Sequence, residues 1–533
     1  MLDLLFQNAT LVDGTGKKAY RGSIGIQKDK LVMPVSADTP AKEVIDASGL
    51  MICPGFIDAH SHGDLALGQE VTKLCKTSQG ITTEICGQCG ASLVPVSEPF
   101  LELGKEVMSI GTLEYPKELP TFTSFEPYLD FVRKTPKTTN LKQLIGHSTL
   151  RVAVMGPANR EASPQELEQM KELLRDAMEH GAAGLSTGLI YTPSCYANTQ
   201  EIVELAKVIA PYGGIYASHM RNESYDSLRS VQEVLEVGRQ AGVAVCISHH
   251  KILGRKNWGL QKQTLALIAQ AVEEGIRVTC DQYPYTCNMT TLGACMPPWH
   301  FDQGAAALSQ RLKDPLFRQQ VRQEMADENT PYDNYYLNAG GWQGVLVASA
   351  PNSPCAEGKT IEAYAKELGQ DPFEVFFDLM VENQNACIAV YSSMCDEDVF
   401  DIALAPNTVV GTDGLARSLQ EKGHPRAYAT FPHAIQYFVK EHHIMSLEEM
   451  IHRMTGLPAQ RFHLPTKGVL ANGMDADLLV IDYDQFQDMA TYTDSNALTQ
   501  GLRYVLVNGQ VVMKDQVFTG NTPGRFLPHN PTL

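Results

Sequence analysis

One short stretch decides the fold of this chain: Pro54-Gly55-Phe56-Ile57-Asp58-Ala59-His60-Ser61-His62. Its apolar residues predict a buried strand, and the two histidines fall at the C-terminal end of that strand. Because residues i and i+2 of a strand point to the same side, His60 and His62 can direct two imidazoles toward one metal ion. This spacing alone is a weak indication of a metal site, so its meaning depends on whether later strands also end in ligand residues.

Further apolar segments also predict strands, and helical stretches separate several of them. The eight strand candidates are residues 55–60, 81–86, 141–147, 183–187, 214–219, 243–249, 276–281 and 408–413. The clearest helix begins after Ser163, a good N-cap, with Pro164 at its first position. Eight strands alternating with helices predict an α/β fold of the (β/α)8 barrel type, in which the active site lies at the C-terminal ends of the strands.

The two ends of the chain have a different pattern, with short strands broken by turns such as Asn508-Gly509. We therefore expect a small β-sandwich domain built from residues 1–53 and 463–533, with the catalytic barrel in residues 54–462. The long gap before the eighth strand contains a segment rich in Met, Pro, Asn and Tyr, at about residues 287–345. We expect this segment to be an insertion near the barrel mouth.

Composition and charge restrict the partners of the protein. The chain has 533 residues, of which 44% are hydrophobic and 20% charged, with a net charge of −18 and no long basic run. This balance argues against nucleic acid and anionic membranes, which attract basic surfaces. The first residues lack the features of a signal peptide, and no apolar run approaches the roughly 18 residues that cross a membrane. The 12 scattered cysteines predict reduced thiols and a cytoplasmic protein.

Metal-ligand residue types occur at the ends of five of the predicted strands. The candidates are His60, His62, Cys89, His219, His249 and Asp413. Taken singly, each has a more ordinary reading as a buried thiol, a structural histidine or a turn aspartate. Their joint placement favours a site of the zinc type. In the pair His249-His250, alternation with the preceding apolar residues directs His249 to the barrel centre and gives His250 a supporting or packing role.

Several longer motifs are spread over nearly the whole chain. They are PGFIDAHSH (54–62), GITTEICGQCG (80–90), YASHMRNE (216–223), ISHHK (247–251), GTDG (411–414), HPRAYATFP (424–432), LPAQRF (457–462), DADLLVID (475–482) and TGNTPGR (519–525). Together they resemble the amidohydrolase superfamily and, within it, the N-acyl-D-amino-acid deacylases, or D-aminoacylases. The HxH motif points only to the superfamily, whereas Cys89 combined with residues 424–432 is much more specific.

The resemblance implies a metal centre. In that family a thiolate from the second strand binds zinc, whereas many other relatives use a carboxylated lysine at the end of the fourth strand; residues 182–187 offer no lysine. The resemblance assigns a tightly bound Zn²⁺ to Cys89, His219 and His249. It assigns a second, weaker position, which Cys89 can bridge, to His60, His62 and Asp413. Asp413 is then also the catalytic acid/base.

The same resemblance implies the substrate, a small molecule. The residues that fall on the family's positions for binding the substrate carboxylate are Tyr191, Lys251, Tyr283 and Arg426. An arginine fork and a lysine point charge suit a carboxylate on chemical grounds as well. The implied reaction is hydrolysis of an N-acyl-D-amino acid to a D-amino acid and a carboxylate. Asp413 takes a proton from zinc-activated water and gives it to the leaving amine.

Two other functions share parts of this pattern. A cyclic amide hydrolase of the hydantoinase or dihydroorotase type has the same barrel and HxH motif, but a carbamylated lysine would mark it. A non-catalytic barrel scaffold is a second alternative, although every ligand type is present here. Gly63 and Gln88 depart from the pattern of many relatives. The sequence leaves the preferred side chain, the acyl group, the number of metal ions and the oligomeric state open.

Overall fold

The computed structural model describes residues 1–108, 119–416, 418–419, 421–492 and 494–530. Within these ranges no helix combines the length and the apolar character needed to pass through a bilayer. The chain begins with five strands: β1 (Leu2–Leu11), β2 (Tyr20–Gln27), β3 (Lys30–Val32), β4 (Ala41–Asp46) and β5 (Met51–Pro54). β1 pairs antiparallel with β2 and parallel with both β4 and β5.

The next strands form most of a parallel barrel. They are β6 (Phe56–Asp58), β7 (Ile81–Cys86), β8 (Asn140–Gln143), β9 (Ile145–Gly146), β10 (Gly184–Gly188), β11 (Ile215–His219), β12 (Ala244–Ile247) and β13 (Val278–Gln282). Only Leu144 separates β8 from β9, so these two together form the predicted third strand. Parallel pairing runs from β6 through β7 to β8, and from β9 through β10, β11 and β12 to β13.

An insertion follows β13. Its strands β14 (Cys287–Thr291), β15 (Val345–Ser349) and β16 (Ile388–Ser392) form an antiparallel sheet in the order β14-β16-β15. The side chains of Tyr335, Phe376 and Tyr391 are buried in a hydrophobic core that belongs to this segment. The insertion therefore extends well beyond the expected residues 287–345, because the strand that joins the other two lies at 388–392.

β17 (Thr408–Val410) closes the barrel. It pairs in parallel with β13, and on its other side the Ala59 N–H donates to the Val410 carbonyl at 3.3 Å. Just beyond the strand, the Asp413 N–H donates to the His60 carbonyl at 2.8 Å. Parallel strands in sequence order with a helix after most of them confirm the predicted (β/α)8 fold.

The C-terminal strands return to the first sheet. They are β18 (Leu478–Ile481), β19 (Leu502–Val507), β20 (Gln510–Lys514) and β21 (Val517–Phe518). β18 pairs antiparallel with β5, which produces one sheet in the order β21-β20-β19-β18-β5-β1-β2-β3, with β4 also beside β1. Both chain ends thus build one small β unit, and its core contains Phe6, Ile24 and Leu506.

Most barrel strands are followed by helices that cover the outside of the barrel. The α-helices are α1 (Glu70–Cys75), α2 (Leu101–Met108), α3 (Phe125–Lys134), α4 (His147–Met155), α5 (Pro164–Glu179), α6 (Thr199–Ile209), α7 (Ser227–Ala241), α8 (Gln261–Glu273), α9 (Ala305–Arg311), α10 (Pro315–Ala326), α11 (Tyr335–Asn338), α12 (Ile361–Leu368), α13 (Pro372–Glu382), α14 (Asp396–Leu404), α15 (Arg426–Ala434), α16 (Leu447–Met454) and α17 (Gly456–Arg461), and a π-helix spans Ile435–Glu441. Helix α5 begins as predicted: the Ser163 hydroxyl accepts from the Glu166 N–H, and the Glu166 carboxylate accepts from the Ser163 N–H.

Candidate metal centre

The candidate ligands lie at one rim of the barrel, where the strands end. His219 is the last residue of β11, while His60, Cys89, His249 and Asp413 lie in the turns just after β6, β7, β12 and β17. All five side chains are buried. The carboxyl ends of parallel strands meet at one edge, so residues that are far apart in sequence converge there.

Four of these side chains form a compact cluster. Their ligand atoms, on His60, Cys89, His249 and Asp413, all lie within 4.8 Å of one another. Cys89 Sγ is 3.3 Å from His60 Nε2 and 3.5 Å from His249 Nε2. Asp413 Oδ1 is 3.5 Å from His60 Nε2 and 3.3 Å from His62 Nε2. One thiol, two imidazoles and one carboxylate therefore surround a single small volume, and the His62 imidazole lies beside the carboxylate.

A second cluster shares His249 with the first. The ligand atoms of His219, Glu223 and His249 also lie within 4.8 Å of one another. Within the described ranges neither ring nitrogen of His219 has a hydrogen-bond partner, although this side chain is buried. A buried polar group without a partner costs about 1–3 kcal/mol. An imidazole left in this state beside a thiol and a second imidazole fits a metal ligand.

The backbone at three ligand positions is strained. The φ angles of Cys89, His249 and Asp413 are 52°, 35° and 45°, in the left-handed region that residues with a side chain rarely adopt. Each such residue costs on the order of 1–3 kcal/mol and persists only where the surrounding structure fixes it. These turns direct the three side chains back over the end of the barrel, toward one another.

The charges in the cluster favour an ionised thiol and an ionised carboxylate. Burial alone raises the pKa of the Cys89 thiol, but the His60 and His249 imidazoles outweigh it and hold that pKa well below its usual value. Burial likewise raises the pKa of Asp413, while Arg426 and His249 hold it well below the usual value. Burial lowers the pKa of His62, but hydrogen bonding to Asp413 raises it to about 9. Thiolate and carboxylate are the forms that bind a metal ion.

Two carboxylates that the sequence reasoning missed lie behind the histidines and orient His249 and His60. Glu223 Oε1 lies 3.0 Å from His249 Nδ1, and Glu223 Oε2 lies 3.6 Å from His219 Nε2. Asp281 Oδ1 accepts from the His249 N–H at 2.7 Å and lies 3.1 Å from His60 Nδ1. Carboxylates behind ligand histidines fix the ring orientation and tautomer. Two features of the sequence could have indicated these carboxylates. Asp281 lies near the end of β13, and Glu223 follows His219 by four residues.

The neighbouring histidines 249 and 250 point in different directions. His249 Nε2 faces Cys89, whereas His250 Nε2 lies 3.0 Å from the Thr264 hydroxyl on α8. Burial lowers the pKa of His250 to about 4, so this imidazole is neutral. His250 therefore packs between the barrel and its outer helices, in agreement with the choice of His249 from the sequence pattern.

A buried ion pair supports the loops that carry the ligands. Asp58 Oδ1 accepts from the N–H groups of His60, at 3.3 Å, and Thr412, at 2.8 Å. Lys76 Nζ donates to Asp58 Oδ2 and to the Thr412 hydroxyl, each at 2.9 Å, and to the Gly414 carbonyl at 3.4 Å. Lys76 and Asp58 have no solvent exposure. This pair therefore joins the turn after β6 to the turn after β17.

The four residues expected to bind the substrate carboxylate line one pocket beside the cluster, together with Cys89 and His219. The Tyr191 hydroxyl is hydrogen-bonded to Thr290 Oγ1 at 2.8 Å. Arg426 Nη1 lies 2.8 Å from Asp413 Oδ2, and the guanidinium carbon lies 4.8 Å from the centre of the Tyr283 ring. The pocket thus brings the arginine and the tyrosines next to Asp413.

Lys251 has partners that the sequence did not indicate. Its Nζ donates to Glu223 Oε1 at 2.6 Å and to the His249 carbonyl at 2.9 Å, and lies 2.6 Å from His249 Nδ1. An ammonium group has three N–H donors. When His249 Nε2 binds a metal, the Nδ1 proton goes to Glu223 and Nδ1 cannot accept from Lys251. Two of the three donors are therefore used, and Lys251 neutralises Glu223 behind the histidines.

Comparisons with known proteins agree with this geometry. The Amidohydrolase family matches residues 43–513. A D-aminoacylase of Alcaligenes xylosoxydans xylosoxydans is 33% identical over 98% of this chain and 97% of its own length. An N-acyl-D-aspartate deacylase of the same organism is 32% identical over 98% of this chain and 95% of its length. The crystal structure of an N-acyl-D-glutamate deacylase from Bordetella bronchiseptica, complexed with zinc and a phosphonate mimic of the tetrahedral intermediate, is 30% identical; it covers 99% of both chains with a TM-score of 0.83.

Proposed function

The chain belongs to the amidohydrolase family, and from that premise we propose that it is a zinc-dependent N-acyl-D-amino-acid deacylase. Such an enzyme hydrolyses a linear amide bond and releases a D-amino acid and a carboxylate. The observation that carries the proposal is the buried cluster in which Cys89 Sγ lies 3.3 and 3.5 Å from two histidine nitrogens. Three deacylases of this kind align with nearly the full length of the chain. A cytoplasmic location, expected from the scattered cysteines, is part of the proposal.

The residues of the cluster suit zinc. Cys89, His219 and His249 would hold the tighter ion, and the orphaned nitrogens of His219 support this assignment. A second, weaker position would lie among the remaining candidates, which are His60, His62 and Asp413. When bound, zinc makes a water molecule more acidic and an amide carbonyl more electrophilic, which are the two obstacles to amide hydrolysis at neutral pH.

Asp413 would move the proton. It lies between the cluster and the substrate pocket, with Oδ1 toward His60 and His62 and Oδ2 toward Arg426. Asp413 accepts a proton from the attacking water and then gives it to the leaving amine. A substrate carboxylate that pairs with Arg426 shares that cation with Asp413, which increases the proton affinity of Asp413 when substrate is present.

The pocket would also select the enantiomer. Arg426 and Tyr283 hold the substrate carboxylate at one side of the pocket, and the cluster fixes the position of the scissile carbonyl at the other. With these two points fixed, inversion of the α-carbon exchanges the side chain with the hydrogen atom. The L-enantiomer then directs its side chain into the pocket wall.

Metal analysis combined with a hydrolysis assay tests the proposal. The purified protein is assayed for zinc and for release of free amine from N-acetyl-D-leucine and N-acetyl-L-leucine, before chelation, after chelation and after zinc is restored. We expect bound zinc, turnover of the D-enantiomer, loss on chelation and recovery with zinc. Turnover of hydantoins together with a carbamate adduct in the intact mass would favour the cyclic amide hydrolase, and a protein that binds no zinc would favour the scaffold.

A further inference from the structure

The substrate pocket has an asymmetric distribution of charge, and we propose that its substrates are N-acyl-D-amino acids with an uncharged, apolar side chain, as opposed to the D-aspartate or D-glutamate derivatives. This inference rests on the proposed deacylase function and specifies its substrate class. It follows from a count of the hydrogen-bond donors on the pocket's cations that the protein itself does not use and that a ligand can therefore bind.

One lysine and one arginine line the pocket in the described part of the chain, Lys251 and Arg426. Two donors of Lys251 bond to Glu223 Oε1 and the His249 carbonyl, which leaves one N–H for a ligand. Arg426 donates through Nη2 to the Met289 carbonyl at 3.1 Å and pairs through Nη1 with Asp413, but its buried Nε has no partner among the described residues. Arg426 and Lys251 therefore each keep an N–H for one substrate carboxylate, and the described lining of the pocket offers no further lysine or arginine.

The Tyr283 hydroxyl belongs to the same receptor. This hydroxyl is buried and likewise has no described hydrogen-bond partner, and its ring lies under the Arg426 guanidinium at 4.8 Å. A guanidinium and a neutral hydroxyl together satisfy one carboxylate. Since every N-acyl amino acid carries an α-carboxylate, this receptor is occupied by the part of the substrate that all candidates share.

The wall that remains for the side chain is apolar. Ala91, Met289 and Leu415 line it, and the last two pack against Ile388 and Val390 of the insertion sheet. Of the polar side chains in the lining, Thr290 is hydrogen-bonded to the Tyr191 hydroxyl and Asn288 Oδ1 accepts from the Ser393 hydroxyl. Transfer of an aliphatic or aromatic side chain from water to such a wall is favourable.

A side-chain carboxylate would lack a counter-ion here. In the adjoining cleft the described cations are Arg221, whose donors are bonded to Glu233, the Cys195 carbonyl and the Ala197 carbonyl, and Lys105, which donates to Glu102 Oε1 at 2.9 Å. Burial of an unpaired carboxylate is costly, and each 1.4 kcal/mol corresponds to a factor of ten. We therefore expect kcat/KM for N-acetyl-D-leucine to exceed that for N-acetyl-D-glutamate by at least about 100-fold.

A substrate panel on the zinc-loaded enzyme tests the inference, and N-acetyl-D-glutamine serves as a nearly isosteric, uncharged control for N-acetyl-D-glutamate. We expect kcat/KM to decrease in the order D-leucine, D-glutamine, D-glutamate. A rate on D-glutamate or D-aspartate equal to or above that on D-leucine would overturn the inference while leaving the deacylase function intact. Failure to hydrolyse any N-acetyl-D-amino acid would overturn the proposed function and the inference with it.

A substitution in the apolar wall gives a second test. Leu415→Lys adds a cation beside the expected side-chain position, so the ratio of kcat/KM for D-leucine over D-glutamate should fall at least tenfold. Leu415→Met, which keeps the wall uncharged, should retain the wild-type preference. An unchanged ratio in Leu415→Lys, with zinc still bound, would contradict the placement of the side chain. If this variant does not fold, the wild-type comparison of D-glutamine with D-glutamate still decides the question.

Discussion

Replacement of Lys76 by methionine should destabilise the barrel by about 4 kcal/mol and weaken metal binding, although Lys76 contacts none of the candidate ligands. The ammonium group is fully buried and bonds to Asp58, Thr412 and Gly414. Methionine fills a similar volume but leaves the Asp58 carboxylate buried without its counter-ion. The turns that carry His60 and Asp413 then lose the interaction that joins them.

The magnitude follows from the contacts. Removing one partner of a buried ion pair costs about 3–5 kcal/mol, because the other charge is left without compensation. Loss of the bond to the Thr412 hydroxyl adds about 1 kcal/mol, and accommodation of the apolar methionine stem offsets a similar amount. In the double variant Lys76→Met/Asp58→Asn both charges of this pair are gone, and an asparagine oxygen can still accept from the N–H groups of His60 and Thr412. Glu84, whose Oε2 lies 3.9 Å from Lys76 Nζ, still loses its cation. We expect the double variant to recover about half of the loss.

Urea unfolding followed by circular dichroism, together with zinc content after dialysis, measures both effects. The expected result is a lower unfolding midpoint and lower zinc occupancy in Lys76→Met, with partial recovery of both in the double variant. A loss below about 1 kcal/mol in the single variant would refute the role assigned to this ion pair. So would a double variant whose loss equals the sum of the two single variants, since residues that interact are not additive.

Three further predictions concern the cluster and a buried network outside it. Cys89→Ala should lose zinc and activity together, whereas Cys355→Ala, at an exposed position, should keep both; full zinc occupancy in Cys89→Ala would remove the thiolate from the metal centre. Asp413→Asn should keep the tighter zinc ion but lower kcat by at least about 100-fold, and near-normal kcat would exclude Asp413 as the acid/base. Burial raises the pKa of Glu201, but His147 and Arg151 lower it to about 2. The contribution of Glu201 to the free energy of unfolding is therefore complete above its unfolded pKa of about 4.3 and is lost as the pH falls toward 2. The difference in Tm between wild type and Glu201→Gln should therefore be constant above pH 5 and shrink below about pH 4; a difference that does not change with pH would contradict the ionised state of Glu201.

The sequence predicted the barrel well because its strands are short apolar runs with clear ends. The second strand was predicted at residues 81–86, and the structure has it at Ile81–Cys86. The placement of candidate ligands followed from the same rule, since residues after parallel strands meet at one rim. The conclusion depended on strand order and periodicity, which are local properties of the sequence.

Other features depend on contacts that are remote in sequence. The insertion continues to Ser392 because β16 pairs with both β14 and β15, a pairing that no local pattern indicates. Lys251 donates to Glu223 Oε1, a contact with a residue 28 positions away that no local pattern indicates. Charge identifies a residue as capable of binding a carboxylate, but the structure is needed to identify which carboxylate it binds.

The pairing between β5 and β18 has a consequence for how the protein is made. Met51–Pro54 lies beside Leu478–Ile481, at the centre of the sheet that both ends of the chain share. During synthesis β1 to β5 leave the ribosome long before β18 has been made. The edge of β5 that pairs with β18 therefore stays exposed while the barrel is completed. Exposed edges of this kind pair readily with other chains. Chaperone binding at this early stage, or a lower expression temperature, should thus raise the yield of native protein more than any change near the barrel rim.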